Sequence, residues 1–271
     1  FLMGNNIETS KLTKERIAEY LRAGKRFDDR ELGDYRKITI ETGISNKAEG
    51  SARVRFGNTD VIAGIKMDVM EPFGDHPDEG ILILSVELLP SSSPKYEPGP
   101  PRIEAVEMAR IVDRGIRESG FIDFKKLCIK EGKKVWGVNI DLYSMNDGGN
   151  LLDAFALAAL VALKSARIPK YDEKNEKVLY GEWTSHKIPL TKQMPLTITV
   201  HKIGDKFLID PTTEEEESSE ARITFSISDG GMINAMQKGN DASIDIKEFN
   251  KIVDFVEKKW KDLYPKIGKL I

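Results

Sequence analysis

DGGNLLDAFALAALVALKSARIP, residues 147–169, is the stretch whose reading decides how this chain folds. It opens on Gly148-Gly149, a turn signal, because glycine takes positive φ without a Cβ penalty. It then runs to Pro169 without another glycine or proline. Leu152, Phe155, Ala156, Ala159, Leu160 and Leu163 recur at helical spacing, while Ala154, Leu157, Ala158, Val161 and Ala162 make the opposite side apolar as well. The spacing predicts a helix with no face for water, which other elements must cover on every side. Just before it, Trp136, Val138, Ile140 and Leu142 alternate with Gly137, Asn139, Asp141 and Tyr143, the period of a strand. Strand, glycine turn and buried helix is the local plan.

Such a turn can aim unpaired helix N–H groups at a phosphate. By spacing alone it reads instead as a tight turn into a core helix. Two glycines satisfy neither G-x-G-x-x-G nor the P-loop pattern, and Asn150 and Leu151, not a cation, follow them.

Outward from this centre, the totals bound the class. With 271 residues the chain can form one large domain or two small ones. A net charge of −3 argues against gripping nucleic acid unaided, so polyanion contact is expected to be local or shared with a partner. Cys128 is the one cysteine, which excludes an internal disulfide and a cysteine-based metal site. His76, His186 and His201 lack metal-ligand spacing, and no cofactor is expected. No apolar run reaches about 18 residues and no signal peptide is seen, so the expected location is cytoplasmic, without membrane contact.

Along the chain, Thr13 to Arg22 reads as a helix with Thr13 as N-cap and Gly24 beyond its end. A strand at 38–40, a hairpin of 52–56 and 61–67 about Gly57-Asn58-Thr59-Asp60, and a strand at 81–89 follow. The proline-rich segment 91–101 is expected as an exposed loop, and 102–119 as a helix. Residues 170–189 read as a polar and aromatic stretch, a connection or a small excursion. A second hairpin, 196–200 with 207–209, places His201 on an exposed face, and strands 223–227 and 232–236 flank Asp229-Gly230-Gly231. Asp245 and Glu248 form a capping box for a long amphipathic helix running to Leu263. Hairpins dominate and no regular β-α-β alternation occurs, which predicts an α+β fold with helices packed on mixed or antiparallel sheets. We expect one domain over 1–271, with a first half at 34–169 and a second at 190–264.

Two charged groups invite chemistry. Arg110, Arg114 and Arg117 fall on one stripe of the helix at 102–119. The plain reading is a solvated face tied by Arg110–Asp113 and Arg114–Glu118 pairs, each contributing about 0.2–0.5 kcal/mol; the sharper one is a phosphate-contacting ridge. Asp210 with Glu214, Glu215, Glu216 and Glu217 follows a strand, where carboxylates hold Mg²⁺ or act as acid and base, although consecutive glutamates read first as a solvated loop.

Several stretches together resemble the RNase PH family: Arg26-Phe27-Asp28-Asp29-Arg30, Ala48-Glu49-Gly50-Ser51-Ala52, Phe56-Gly57-Asn58-Thr59, Glu97-Pro98-Gly99-Pro100-Pro101, residues 107–114, and 136–153. More closely they look like its non-catalytic branch in the archaeal exosome. Asp29 departs from the family, which has glycine there. The resemblance implies an RNase PH-like (ribosomal protein S5 domain 2-like) fold. Catalytic members shorten RNA from its 3′ end by phosphorolysis, with phosphate at a glycine-serine-arginine turn and carboxylates after a later strand. Gly149-Asn150-Leu151 stands at that turn here, and Asp210 and Glu216 align with the carboxylates. Leucine in place of arginine removes a charge-assisted bidentate contact to the anion. The resemblance therefore implies a subunit that pairs with a catalytic RNase PH-like homologue as a heterodimer, three of which close a hexameric ring. Single-stranded RNA would thread the ring beneath an RNA-binding cap subunit, with Arg110 and Arg114 as RNA contacts. The alternatives are a nuclease using Asp210 and Glu216 with metal or phosphate, and an RNA-independent scaffold.

Overall fold

The structure, a computed structural model, describes residues 9–270; residues 1–8 and 271 of the expected domain span lie outside the described residues. It begins with α1 (Lys11–Arg22), β1 (Ile38–Thr42), β2 (Gly50–Phe56), β3 (Thr59–Met70) and β4 (Ile81–Leu88). Then come α2 (Ile103–Glu118), β5 (Cys128–Lys130), β6 (Lys134–Asn146), α3 (Leu151–Ser165), β7 (Arg167–Asp172) and β8 (Lys177–Lys187). The chain ends with β9 (Leu196–Ile203), β10 (Lys206–Ile209), α4 (Thr213–Glu217), β11 (Ala221–Ser228), β12 (Met232–Gly239) and α5 (Ile246–Leu270).

The first sheet runs β1-β2-β3-β6-β4, with β5 attached to β6. Its neighbours are antiparallel except β4, which lies parallel to β6 and reaches it through no hairpin. The second sheet, β10-β9-β11-β12, is antiparallel throughout. The mixed and antiparallel sheets with packed helices are those of an α+β fold. Among the described residues no helix is long and apolar enough to cross a membrane.

Helix α3 lies between the sheets, against β2, β3 and β6 on one side and β9 on the other. Every residue from Leu151 to Leu163 is buried, as a helix apolar all round requires. Each fully buried leucine or phenylalanine stabilises the fold by about 1.5–3 kcal/mol relative to exposure. Helix α2 packs on β4 and β12, and α5 covers β9 and the turn at 229–231. Strand β9 is therefore sandwiched: Thr199 meets Asp153 at the start of α3, and Lys202 meets Glu248 at the start of α5.

That sandwich corrects the reading of His201, which is 1% exposed and not a surface residue. Alternation marks a wet face only where one face is wet, and here the polar side of β9 is covered, with Thr199 bonded to Asp153 and His201 buried beside it. Other local readings also shift. Ser10, not Thr13, caps α1, its Oγ accepting the Thr13 N–H at 3.2 Å. Of the two readings of residues 170–189, the small excursion holds, since most of them build the β7–β8 ladder. Helix α5 runs on through Pro265, with Ile267 buried beyond it to hold the last turns down. The Asp245–Glu248 capping box forms in both directions, at 2.8 and 3.2 Å.

Strand β2 approaches α3 closely at Gly50, where an added Cβ would lie 2.4 Å from Ala162 O and 2.6 Å from Ala166 Cβ. Backbone on backbone cannot yield cheaply. Gly50→Val is expected to destabilise the protein by about 1–3 kcal/mol or more in urea unfolding, with the m-value retained.

Candidate functional site

The site forms where β6 hands over to α3. Gly149, at φ 86°, lets the chain turn, and an added Cβ there would sit 2.6 Å from Pro211 O and 2.7 Å from Thr213 N. The turn thus lies flat against the backbone of residues 211–213. Asn150 follows at φ 58°, and its N–H donates to Glu216 Oε2 at 2.9 Å. A carboxylate of the chain itself therefore stands at the positive end of α3, where a bound anion would sit. Burial, and then Asp147, push the Glu216 carboxyl up, against the pull of the Asn150 N–H and Lys95. Asp147 is itself taken by Lys95 Nζ at 2.9 Å, Tyr96 OH at 2.7 Å and the Gly149 N–H at 3.1 Å.

Asp210, at the end of β10 and fully buried, is the centre of the cluster. Arg36 donates to it from N, Nε and Nη2 at 2.7, 2.9 and 2.6 Å. Arg30 Nη1 and Asn150 Nδ2 add two more bonds, each at 3.0 Å. Burial raises its pKa, but Arg36 outweighs this and holds the carboxyl below the usual range. Five donors saturate the roughly four lone-pair directions of a carboxylate, so Asp210 has no free position for a substrate proton or a metal ligand. Arg36 is largely committed as well, since it also donates from Nη1 to Gly148 O at 2.7 Å and from Nη2 to Gly149 O at 3.0 Å. Among the described residues, no cluster of three or more His, Cys, Asp or Glu is placed to hold a metal.

The acidic run is not a solvated loop. Thr212 and Glu215 form a capping box that starts α4, which seats acids at a helix N-terminus, where the dipole favours them. Glu215 is buried and forks onto Arg26, also buried, at 2.9 and 2.5 Å. Arg26 further donates to Ile209 O and Asp210 O. Asp29, in the same loop, adopts φ 61°, a left-handed conformation that glycine takes without a Cβ penalty.

One layer deeper, Asp153 Oδ1 and Oδ2 accept from Thr199 Oγ1 at 2.7 Å and Thr199 N at 3.1 Å, and Tyr35 OH donates at 3.2 Å. Burial outweighs these bonds and raises Asp153 to about 7. Burial, and then Arg222 opposite it on β11, lower His201 to about 3.

The arginine stripe lies elsewhere. Arg110, Arg114 and Arg117 line an open groove of about 1130 Å³ between α2 and the edge strands β4 and β12. The expected Arg110–Asp113 and Arg114–Glu118 pairs do not form. Asp113 takes Arg117, one turn on, at 2.8 Å, which leaves Arg110 and Arg114 exposed without an acidic partner among the described residues. The structure thus joins Asp210, Glu216 and the glycine turn in one cluster and keeps Arg110 and Arg114 apart from it. Arg26 and Arg30 stood within a quoted motif; Arg36 carried no signal, because its partners lie more than a hundred residues away.

Residues 34–169 match domain 1, and residues 193–259 domain 2, of the 3′ exoribonuclease family, the RNase PH fold. The chain belongs to this family. Curated relatives agree. Exosome complex component Rrp42 of Methanosarcina acetivorans is 45% identical over 93% of this chain and 92% of that protein. The Rrp42 component of Thermococcus onnurineus is 42% identical over 94% of each. Among solved structures, a chain of the Archaeoglobus fulgidus exosome with RNA bound to the active site superposes with TM-score 0.86 at 38% identity, covering 94% of this chain and 97% of that one. Rice Rrp46, at 14% identity and TM-score 0.68, shares the fold.

Removing one partner of the buried Arg26–Glu215 pair leaves an uncompensated charge. Arg26→Ala should destabilise this RNase PH-like chain by about 3–5 kcal/mol in denaturant unfolding, whereas Arg26→Met with Glu215→Leu together should recover most of that loss. The two shifted interior groups oppose each other with pH. Asp153, raised in the folded state, binds its proton more readily there than in the unfolded chain, so its contribution to stability falls as pH rises from about 4 to about 7. His201, lowered, gives a contribution that grows from about pH 3 to about 6.5. Relative to the unsubstituted chain between pH 4.5 and 6.5, stability should climb more steeply with pH in Asp153→Asn and less steeply in His201→Gln. Urea titrations across that window provide the measurement.

Proposed function

We propose that this chain is a non-catalytic subunit of an archaeal RNA exosome. In this reading it pairs with a catalytic RNase PH-like homologue in the cytoplasm, three pairs close a hexameric ring, and an RNA-binding cap subunit sits above. Family membership and the likeness to Rrp42 components support the assembly. The observation that carries the lack of catalysis is the filled turn before α3. Glu216 takes the Asn150 N–H, the backbone of 211–213 abuts Gly149, and Leu151 stands where the family's arginine would hold phosphate. A charge-assisted fork is roughly twice as strong as a neutral hydrogen bond, and an acid in its stead repels the attacking anion. Asp210, spent on Arg30, Arg36 and Asn150, does not serve as a base.

The subunit's contribution to the reaction is then to brace the partner and hold the RNA backbone. Arg110 and Arg114 are the contacts, exposed, unpaired and side by side on α2. Guanidinium groups match phosphate oxygens, and a slightly acidic chain can share a groove whose positive field the partner completes.

Incubated alone with single-stranded RNA, inorganic phosphate and Mg²⁺, the chain should release no nucleoside diphosphates; release at rates comparable to a catalytic homologue would make it an enzyme in its own right. In the reconstituted ring, Arg110→Glu with Arg114→Glu should slow RNA degradation by about tenfold or more, since each charged hydrogen bond contributes about 1.5–3 kcal/mol. An unchanged rate would leave the subunit as an RNA-independent scaffold.

A further inference from the structure

The α2 stripe does not end the basic surface. In the last turn of α2, Arg117 lays its guanidinium over the ring of Phe124, 5.8 Å from the centroid, within cation–π reach. Phe124 opens a short 3₁₀ turn, Phe124–Leu127, on which Lys125 and Lys126 stand exposed. Lys126 lines a second groove, of about 530 Å³, whose floor holds Trp136 and Tyr171 and whose far rim is His186 and Lys187 of β8. The two aromatic rings meet edge to face at 6.2 Å, and Lys134 Nζ lies 5.7 Å from the Tyr171 centroid.

Charge gives this surface a direction. Residues 123–134 carry five lysines against two acids in a chain whose net charge is −3. Lys130, Lys133 and Lys187 have no acidic partner among the described residues, although most cations near them are paired. An unpaired Lys187 and a Lys126 whose pair with Asp123 is solvent-exposed and weak, set about an aromatic floor, suit an anion that also has flat faces. Single-stranded RNA is such a ligand, because its phosphates seek lysine while its bases stack on aromatic rings. An acidic protein segment would use the lysines and leave the floor unused.

We propose that single-stranded RNA held on Arg110 and Arg114 continues over Arg117 and Phe124 into the groove beneath the β7–β8 hairpin. There Lys126 and Lys187 meet its phosphates and a base lies against Tyr171. The track rests on the reading of the arginine ridge as an RNA contact, and it extends that contact along the length of α2 and beyond. The arginines span about 10 Å of helix at 1.5 Å per residue, so a short RNA occupies the ridge alone and a longer one reaches the groove.

The test is fluorescence anisotropy with labelled oligouridylates of about 4 and about 16 nucleotides, on the chain assembled with its catalytic homologue. Lys126→Ala with Lys187→Ala should weaken the long RNA about tenfold at low salt and spare the short one. It should also flatten the slope of log affinity against log salt by about 1.4, at about 0.7 per phosphate contact. No loss, or equal loss at both lengths, overturns the track. Failure of the ridge looks different: Arg110→Ala with Arg114→Ala then leaves both RNAs unchanged while the lysine pair still weakens the long one, which upholds the groove and overturns the ridge alone. Poly-glutamate that displaces the long RNA as well, per charge, as unlabelled RNA does would assign the surface to acidic protein and overturn the proposal.

Discussion

A helix with no wet side imposes the plan of this molecule. Because α3 is buried along thirteen consecutive residues, from Leu151 to Leu163, it cannot rest on one sheet as an amphipathic helix does; it needs cover on two opposed faces. The first sheet supplies one cover and β9 of the second supplies the other. Each half of the chain therefore depends on the same helix, and the glycine at position 50 marks how closely one wall approaches it. An open, solvated edge on α3 would expose several leucines, each at about 1.5–3 kcal/mol, more than a domain of marginal stability tolerates.

The same demand explains the polar cluster at the helix's first turn. Burying α3 also buries its N-terminal N–H groups, which need acceptors. Water is shut out there, so the acceptor comes from the chain: Glu216 reaches the Asn150 N–H, while Asp153 bonds to Thr199 of the covering sheet. Carboxylates drawn inside need cations in turn, and Arg26, Arg30 and Arg36 converge from the loop before β1 to meet Glu215 and Asp210. On the proposed reading, the place where a catalytic relative would hold phosphate is here occupied by the chain's own ion pairs and hydrogen bonds. The chain has spent its chemistry on its own stability, which fits a subunit that lends surface to a neighbour's reaction. In the proposed function the surface it offers is α2, where Arg110 and Arg114 stay without an acidic partner among the described residues.

How much of this was legible in the residues varied with the range of the interaction. The strand-turn-helix at 134–165, both hairpins, the helix at 103–118 and the capping box of α5 follow from local period and turn chemistry, and all are present. His201 was misplaced because a threonine-rich alternation looks like a wet face unless one knows that α3 delivers Asp153 to it. Four consecutive glutamates looked solvated because like charges repel, and nothing nearby in sequence announces that Arg26 and a helix N-terminus absorb them. Asp113 had two arginines within helical reach, and its choice of Arg117 over Arg110 frees the ridge.

From its residues alone the chain determined that one helix would be wholly buried, that hairpins would flank it, and that Asn150 and Leu151, not a cation, would follow the glycine turn. These are properties of period, composition and single side chains. Only the tertiary structure decided that Arg36 would arrive beneath Gly148 and Gly149, that Glu216 would occupy the helix end, and that Asp210 would be left without a free lone pair. The physical reason is that ion pairing and desolvation depend on distances of a few ångströms between groups 66 to 174 residues apart, and only the closed fold sets those distances.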